Sequence, residues 1–219
     1  MRCKSKNFPR FSQYLSCGGN RCGKKKQVVC SSALFPTLAR NKQDMSSSVS
    51  ARQPRSGSSA SLVRLTRDLR TPWKMRWYFL RRLPSCWFWG VRVQQCSPAQ
   101  AAVSIPFSWR TQNPFRSTYF AALSGAAELS TGLLALLAIH DRGPFSMLIT
   151  KVEVEFVKKA DTLTVFTCEA GAAIELAVQQ ALDTGQGAQA RVLTTGRNTA
   201  GEIVCQAWFT WSFKQKRQA

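Results

Sequence analysis

The stretch STYFAALSGAAELSTGLLALLAI, residues 117–139, decides how the rest of the chain has to fold. It contains no proline and consists mostly of Ala, Leu, Gly and Ser, which favours one long helix. Ser117 and Thr118 are the expected capping residues, and Gly143 and Pro144 follow shortly after the end as stop signals. Because this helix is apolar on nearly every side, other elements have to cover it on every side.

Glu128 is the only charged residue of this helix, and it lies near the middle. A run of about twenty apolar residues is also long enough to cross a bilayer. An acid at the centre of a membrane helix, however, costs about 2.5–3.5 kcal/mol on insertion scales. Because strand-like segments flank the run on both sides, the sequence predicts the core helix of a globular domain and no integral membrane span.

The flanking segments contain a short helix and several strands. Thr71 supplies a capping hydroxyl, Pro72 suits the first helical position, and the helix is expected to end before Pro84. Period-two patterns and turn residues predict six strands, over residues 90–96, 100–109, 146–159, 162–170, 188–196 and 202–213. The third and fourth of these strands are expected to pair with each other around Ala160 and Asp161.

A second short helix is predicted over residues 172–185, where Ile174, Val178 and Leu182 form one apolar stripe. The element available to cover an all-apolar helix is a strongly curved sheet. The sequence therefore predicts an α+β fold, in which a curved, mostly antiparallel sheet wraps around one long central helix.

Residues 1–68 differ in composition from the rest of the chain. The net charge is +20, and residues 1–70 hold fifteen Lys and Arg against two acids, whereas all seven Trp lie at or beyond Trp73. A segment rich in Arg, Lys and Ser and poor in large apolar residues cannot bury enough surface to offset chain entropy. We therefore expect a disordered basic extension over residues 1–68 and one folded domain over residues 69–217.

The extension also bears on the compartment. Ser-rich, Arg-rich and acid-poor N-termini are typical of mitochondrial and plastid transit segments, although no amphipathic helix precedes Leu62. Met45 and Met75 are alternative start sites. If residues 1–68 are a transit segment, the protein is mitochondrial or plastid. If they are not, the lack of an apolar secretory segment and the scattered cysteines favour a cytoplasmic, reducing location.

The sequence predicts no cofactor and no metal site. Cys17 and Cys22 are the only closely spaced cysteines of the extension, and no second pair completes a zinc site. A nucleic-acid partner is disfavoured, because the extension lacks interleaved aromatic and basic residues. Binding of an anionic surface, either membrane or nucleic acid, through the extension and the helix WKMRWYFLRR, residues 73–82, stays open as an alternative function.

The order of elements, and the segment NPFRSTYFAALSGAAELSTG in particular, resembles the hotdog-fold acyl-CoA thioesterase superfamily. The resemblance covers about residues 69–216 and is greatest to a branch of uncharacterised function related to phenylacetate-pathway thioesterases. Glu128 stands where members of this superfamily have a catalytic Asp or Glu, so the resemblance implies that Glu128 is the catalytic residue. Better-studied relatives begin this helix with His-Gly-Gly, and this chain has Tyr119, Phe120 and Ala121 at those positions.

The resemblance implies an acyl-CoA or other acyl thioester substrate and a homodimer or dimer of dimers. Thioester hydrolysis needs a base or nucleophile and donors aimed at the oxyanion, for which the NH groups of Tyr119, Phe120 and Ala121 are candidates. Glu128 lies eight residues past Phe120, which is roughly 12 Å along a helix. The two groups cannot meet within one chain, and since hotdog proteins typically form dimers with their helices side by side, the resemblance implies that Glu128 of one chain faces residues 119–121 of the other.

Other roles for these residues stay open. Asn113 could orient a water or the substrate carbonyl, and it could equally be a turn residue before Pro114. Glu128 could be a structural acid satisfied by Tyr119, Ser124 or a backbone group. The protein could also bind an acyl thioester without cleaving it, which the missing His-Gly-Gly favours. The leading hypothesis is a thioester hydrolase that cleaves a fatty or aryl acyl thioester at a dimer interface.

Overall fold

The computed structural model describes residues 59–216, which all belong to one compact unit. Five helices and six strands follow one another in this part of the chain: α1 (Ser59–Arg70), α2 (Pro72–Arg82), α3 (Pro84–Trp89), β1 (Arg92–Cys96), β2 (Ala101–Ile105), α4 (Phe120–Ile139), β3 (Phe145–Phe156), β4 (Thr164–Cys168), α5 (Gly171–Thr184), β5 (Ala188–Arg197) and β6 (Ile203–Gln215). The disorder predicted for residues 1–58 and the alternative start at Met45 lie outside the described residues.

The six strands form one antiparallel sheet in the order β1-β2-β4-β5-β6-β3. This confirms the predicted α+β fold with an antiparallel sheet and a long central helix. The predicted pairing of β3 with β4 is wrong, because β3 pairs with β6 along its whole length. The reason lies at Ala160, whose carbonyl oxygen accepts hydrogen bonds from the NH and the hydroxyl of Thr118, at 2.7 and 3.0 Å. The segment after β3 is thereby held at the start of α4 instead of forming a tight turn.

The core lies between α4 and the sheet. α4 packs against β2, β4, β5, β6 and α5, and its alanines at 122, 126 and 135 have no exposed surface. The opposing strands supply Phe166, Phe209 and Phe213, which are buried as well. α4 is long and apolar enough to cross a membrane, but most of it is buried inside the domain, so it is the core helix that the sequence predicts.

Two polar contacts set the position of α4 on the sheet. The hydroxyl oxygens of Ser130 and Thr194 lie 2.8 Å apart, which links α4 to β5. The indole Nε1–H of Trp211 donates to Thr131 Oγ1 at 3.0 Å, which links α4 to β6. All four side chains are buried, and buried polar groups stabilise a single arrangement only when they are paired, as these are.

The helices before the sheet differ in part from the prediction. α2 begins at Pro72 as expected, but the hydroxyl of Thr71 donates to Arg67 O at 2.8 Å and does not cap α2. α2 ends at Arg82, before Pro84, as predicted, but Pro84 then starts α3, a helix that the sequence did not predict; a proline suits this first position because its missing NH is no loss. α1 covers residues that were assigned to the extension, and Leu69 near its end is buried in the core.

Candidate functional site at the start of the core helix

The loop before α4 is closed by the side chain of Asn113. Its Oδ1 accepts hydrogen bonds from the NH of Phe115 at 3.0 Å and from the NH and hydroxyl of Ser117, both at 3.2 Å. The Asn113 NH also donates to Ser117 O at 2.8 Å. Within the loop, Arg116 has a positive φ of 57°. The side-chain oxygen of Asn113 is thus engaged in shaping the turn, the second of the two roles that the sequence left open.

The loop places Tyr119 directly before α4, which begins at Phe120. The NH of Tyr119 donates to Thr111 O at 2.6 Å, and Thr111 is buried. Tyr119, and not the expected Ser117 or Thr118, is the capping residue, and its side chain makes no capping hydrogen bond. In the described part of the chain, no acceptor meets the NH groups of Phe120 and Ala121. The positive end of the helix dipole therefore presents two available donors.

Phe120, the first of the two residues with a free NH, lines a cleft of about 800 Å³ between the loop and the segment after β3. Its walls are mainly apolar, and the lining residues include Asn113, Phe115, Tyr119, Phe120, Phe156 and Lys159. The rings of Tyr119 and Phe120 meet edge to face, with their centroids 4.9 Å apart. The structure thus brings three of the five candidate site residues together at one cleft, next to the fourth, Ala121.

Glu128 does not line this cleft. It lies two turns further along α4, on a side that no element within residues 59–216 covers completely, and its neighbours on that side, Ser124 and Gly125, are partly exposed. Within residues 59–216, no hydrogen bond or ion pair reaches its carboxylate, from Tyr119, from Ser124 or from any basic side chain. The carboxylate is open to solvent on one side, yet the surrounding protein removes enough water to raise the pKa of Glu128 above its usual value.

The third helix, which the sequence analysis missed, packs beside this acid. A Cβ at Gly125 would lie 2.9 Å from the ring of Trp89, so glycine permits the close approach of α3 to α4. Burial, and secondarily the charge of Glu128, raises the pKa of the Cys86 thiol to about 11. The signal that could have revealed this contact is the dense aromatic segment PSCWFW together with a glycine inside a helix.

Residues 59–216 contain no cluster of three or more His, Cys, Asp or Glu side chains that could hold a metal ion. The four cysteines of this part of the chain, at positions 86, 96, 168 and 205, are free and buried.

Comparison with known proteins agrees with this architecture. Residues 71–213 match the model of a family described as "Domain of unknown function (DUF4442)". A comparison with curated proteins finds no match. Among solved structures, a Pseudomonas aeruginosa protein of unknown function, titled a probable thioesterase, is 18% identical with a TM-score of 0.57, covering 66% of this chain and 97% of its own.

Two further structures show the same fold. A Chlorobaculum tepidum protein of unknown function is 12% identical with a TM-score of 0.57, covering 67% of this chain and 98% of its own. A Haemophilus influenzae thioesterase is 11% identical with a TM-score of 0.52, covering 66% of this chain and 91% of its own. These neighbours confirm the predicted hotdog architecture, and the match over residues 71–213 shows that the chain belongs to the DUF4442 family.

Proposed function

We propose that this protein is an acyl-thioester hydrolase whose sites combine Glu128 of one subunit with the start of α4 of its partner. One observation carries the proposal: the single carboxylate of an otherwise apolar core helix is exposed and unpaired within the described residues, while the same helix presents free NH donors at an apolar cleft. The named thioesterase among the structural neighbours supports the reaction class.

The distance along α4 supports a site shared by two subunits. Glu128 and the NH of Phe120 are eight residues apart on one continuous helix, which corresponds to about 12 Å of rise. A base and an oxyanion donor that act on the same thioester have to lie within a few ångströms of it. The carboxylate of one chain therefore needs the helix start of another.

The free edge of the sheet supports a dimer. β3 is twelve residues long, ends the sheet on one side and pairs only with β6 among the described strands. Met147 and Val152 lie opposite the buried residues Phe213 and Phe209 of β6, so they share their face, yet both are exposed. A long edge strand with unpaired backbone groups and exposed apolar side chains on one face is a ready surface for pairing with a second copy.

The proposed reaction uses one proton transfer in each direction. The Glu128 carboxylate takes a proton from a water molecule, whose oxygen attacks the thioester carbonyl carbon. The NH groups of Phe120 of the partner subunit and Ala121 of the partner subunit stabilise the oxyanion that forms. The C–S bond then breaks, and Glu128 returns the proton to the leaving thiolate. The raised pKa makes Glu128 a stronger base than an ordinary carboxylate at neutral pH.

A direct attack is the second form of the same proposal. The carboxylate oxygen of Glu128 would bond to the carbonyl carbon and displace the thiolate, and water would then hydrolyse the resulting mixed anhydride. Both forms need the same residues. The cleft walls suit a fatty or aryl acyl group, and Lys158 and Lys159 beside it suit the phosphates of coenzyme A.

The first test is thiol release from acyl-CoAs of increasing chain length and from an aryl-CoA, using the full chain. Glu128→Gln keeps the size of the side chain and removes its basicity, so we expect the rate to fall at least about a hundredfold. Asp183→Asn, a surface change on α5, is the matched control and should keep the rate. Equal rates for wild type and Glu128→Gln would remove Glu128 from the mechanism.

The shared site can be tested by complementation. Ala121→Pro removes one NH donor at a helix position that tolerates proline. When Ala121→Pro and Glu128→Gln chains carry different tags, the purified mixed dimer holds one intact site and one doubly damaged site. Such a dimer should recover about half of the wild-type rate, because a two-fold dimer has two equivalent sites. A mixed dimer without activity would mean that Glu128 and the NH of Ala121 act in a site within one chain.

A second function, binding without cleavage, is favoured by one observation. The helix starts with two aromatic rings, Tyr119 and Phe120, which are 45% and 58% exposed and occupy space at the cleft. Rings at this place narrow the approach of a thioester to the backbone donors, which glycine would leave open. Tight binding of acyl-CoA by both wild type and Glu128→Gln, with no thiol release by either, would establish this function instead.

A further inference from the structure

We propose that the outer face of α2 is a docking surface for an anionic lipid bilayer. This face, called here the α2 face, consists of Trp73, Trp77 and Leu80, with Lys74 and Arg81 beside them. The inference is independent of thioester cleavage, because it rests on residues outside the cleft and away from Glu128.

The orientation of α2 exposes large apolar side chains. Met75 and Phe79, one turn apart, are buried and attach α2 to the core. At about 100° per residue, Trp73, Trp77 and Leu80 point to the opposite side of the helix. Their exposed fractions are 67%, 53% and 40%. Two exposed tryptophans one turn apart are a costly surface in water unless something covers them.

Basic side chains accompany the two rings. The guanidinium of Arg81 lies 4.6 Å from the ring centroid of Trp77, and the Lys74 ammonium lies 5.8 Å from that of Trp73. This arrangement suits a membrane interface, where indole rings enter the headgroup layer while cations stay with the phosphates. Lys74 also pairs with Asp68 at 2.6 Å, so most of the uncompensated charge comes from arginines.

The charge of the surrounding sequence selects an anionic partner. Between Asp68 and Glu128 the chain contains eight Lys and Arg and no Asp or Glu. In the described structure, no acid pairs with Arg76, Arg81 or Arg82. A second copy of this chain would bring two positive faces together, which like-charge repulsion opposes. A nucleic acid would use the cations but would leave Leu80 and the outer edges of both indoles without apolar contacts.

The test measures binding of the full chain to vesicles of phosphatidylcholine alone and of phosphatidylcholine with phosphatidylserine. Residues 1–58 are themselves basic and can adsorb to the anionic vesicles, but they contain no tryptophan. Vesicles whose acyl chains are brominated separate the two effects, because bromine quenches only tryptophans that enter the bilayer. We expect quenching with the anionic vesicles and much less with phosphatidylcholine alone.

The double variant Trp73→Ser, Trp77→Ser should lower the partition coefficient onto anionic vesicles at least about tenfold, since it removes two large apolar contacts. Leu176→Ser is the control, because Leu176 is equally exposed, at 71%, on α5. Circular dichroism should be the same for all three proteins, as the changed residues are exposed.

Three results would overturn the proposal. The first is binding of the wild type to vesicles without quenching of its tryptophans. The second is equal partitioning of the wild type and the double variant onto anionic vesicles. Either result would assign binding to the basic extension. The third is a duplex oligonucleotide that binds wild type, but not the double variant, while vesicles bind neither. That outcome would make the α2 face a nucleic-acid surface.

Discussion

Glu128 is the residue at which the proposed chemistry and the stability of the fold have opposite requirements. The protein around its carboxylate removes part of the hydration and supplies no described partner in return, so the charged form is disfavoured and the pKa of Glu128 is raised. The cost is typical of groups whose pKa is adjusted for proton transfer.

The first prediction concerns the pH dependence of stability at Glu128. The pKa of Glu128 is higher in the folded state than in the unfolded state. Its ionisation therefore costs stability, and this cost is absent at acidic pH and appears as the pH rises from the unfolded-state pKa through the folded-state pKa. Glu128→Gln should therefore raise the free energy of unfolding relative to wild type at neutral pH and leave it unchanged at strongly acidic pH. Urea unfolding across the pH range measures the difference.

Glu202 is a control for Glu128, because its pKa is shifted in the opposite direction. Hydrogen bonds from Lys158 and Asn198, followed by the charge of Lys158, lower the pKa of Glu202, so its favourable contribution is present at neutral pH and is lost as pH falls. Glu202→Gln should slightly lower stability at neutral pH only, because the pair is exposed. If both variants shifted stability in the same direction, burial would not be the cause of the Glu128 shift.

At the scale of elements, α4 contains two glycines in different surroundings. A Cβ at Gly132 would lie 3.7 Å from the Trp211 ring, an ordinary contact, whereas a Cβ at Gly125 would lie 2.9 Å from Trp89. Alanine is favoured over glycine inside a helix at both positions. Only at Gly125 does a neighbouring helix have to move to admit the methyl group.

The second prediction is that alanine at these two positions changes the stability of the protein in opposite directions. Gly132→Ala should stabilise the protein by up to about 1 kcal/mol through helix propensity. Gly125→Ala should destabilise it by about 1–3 kcal/mol through overpacking against α3. Thermal unfolding of both variants provides the comparison. Equal gains in stability would mean that α3 does not pack closely on α4.

At the scale of the quaternary structure, the proposed dimer uses the open edge of β3 as its subunit interface. The third prediction is that Val152→Lys, which places a charge on the apolar edge, converts a dimer into a monomer and abolishes thiol release with it. Burying an unpaired ammonium at an interface costs several kcal/mol. Sedimentation velocity and the acyl-CoA assay on the same sample measure both effects.

Leu176→Lys, on α5, is the matched control for Val152→Lys and should leave both the dimer and the activity intact. A monomeric Val152→Lys protein with full activity would show that one chain contains a complete site. A wild-type protein that is monomeric would remove the basis for a shared site altogether.

Much of this structure could be predicted from the sequence, because the patterns that specify single helices and strands lie within short segments. The unbroken apolar run predicted α4, period-two alternation predicted the strands, and the stripe of Ile174, Val178 and Leu182 predicted α5. The pairing of β3 was not accessible in this way, because it is decided by contacts between segments that are distant in sequence, such as β3 with β6 and Thr118 with Ala160, which are 42 residues apart. α3 was missed since proline signals both the end of one helix and the start of the next.

Hydrophobic periodicity and the cost of burying charge are properties of the chain, so the amino-acid sequence was enough to predict the fold class, the core helix and the one acid within it. Three other features became visible only in the folded chain: Asn113 shapes a turn, the start of α4 at Phe120 lines a cleft that Glu128 does not reach, and Trp73 and Trp77 face outward. The physical reason is that which side of an element is covered depends on contacts between residues that are distant in sequence.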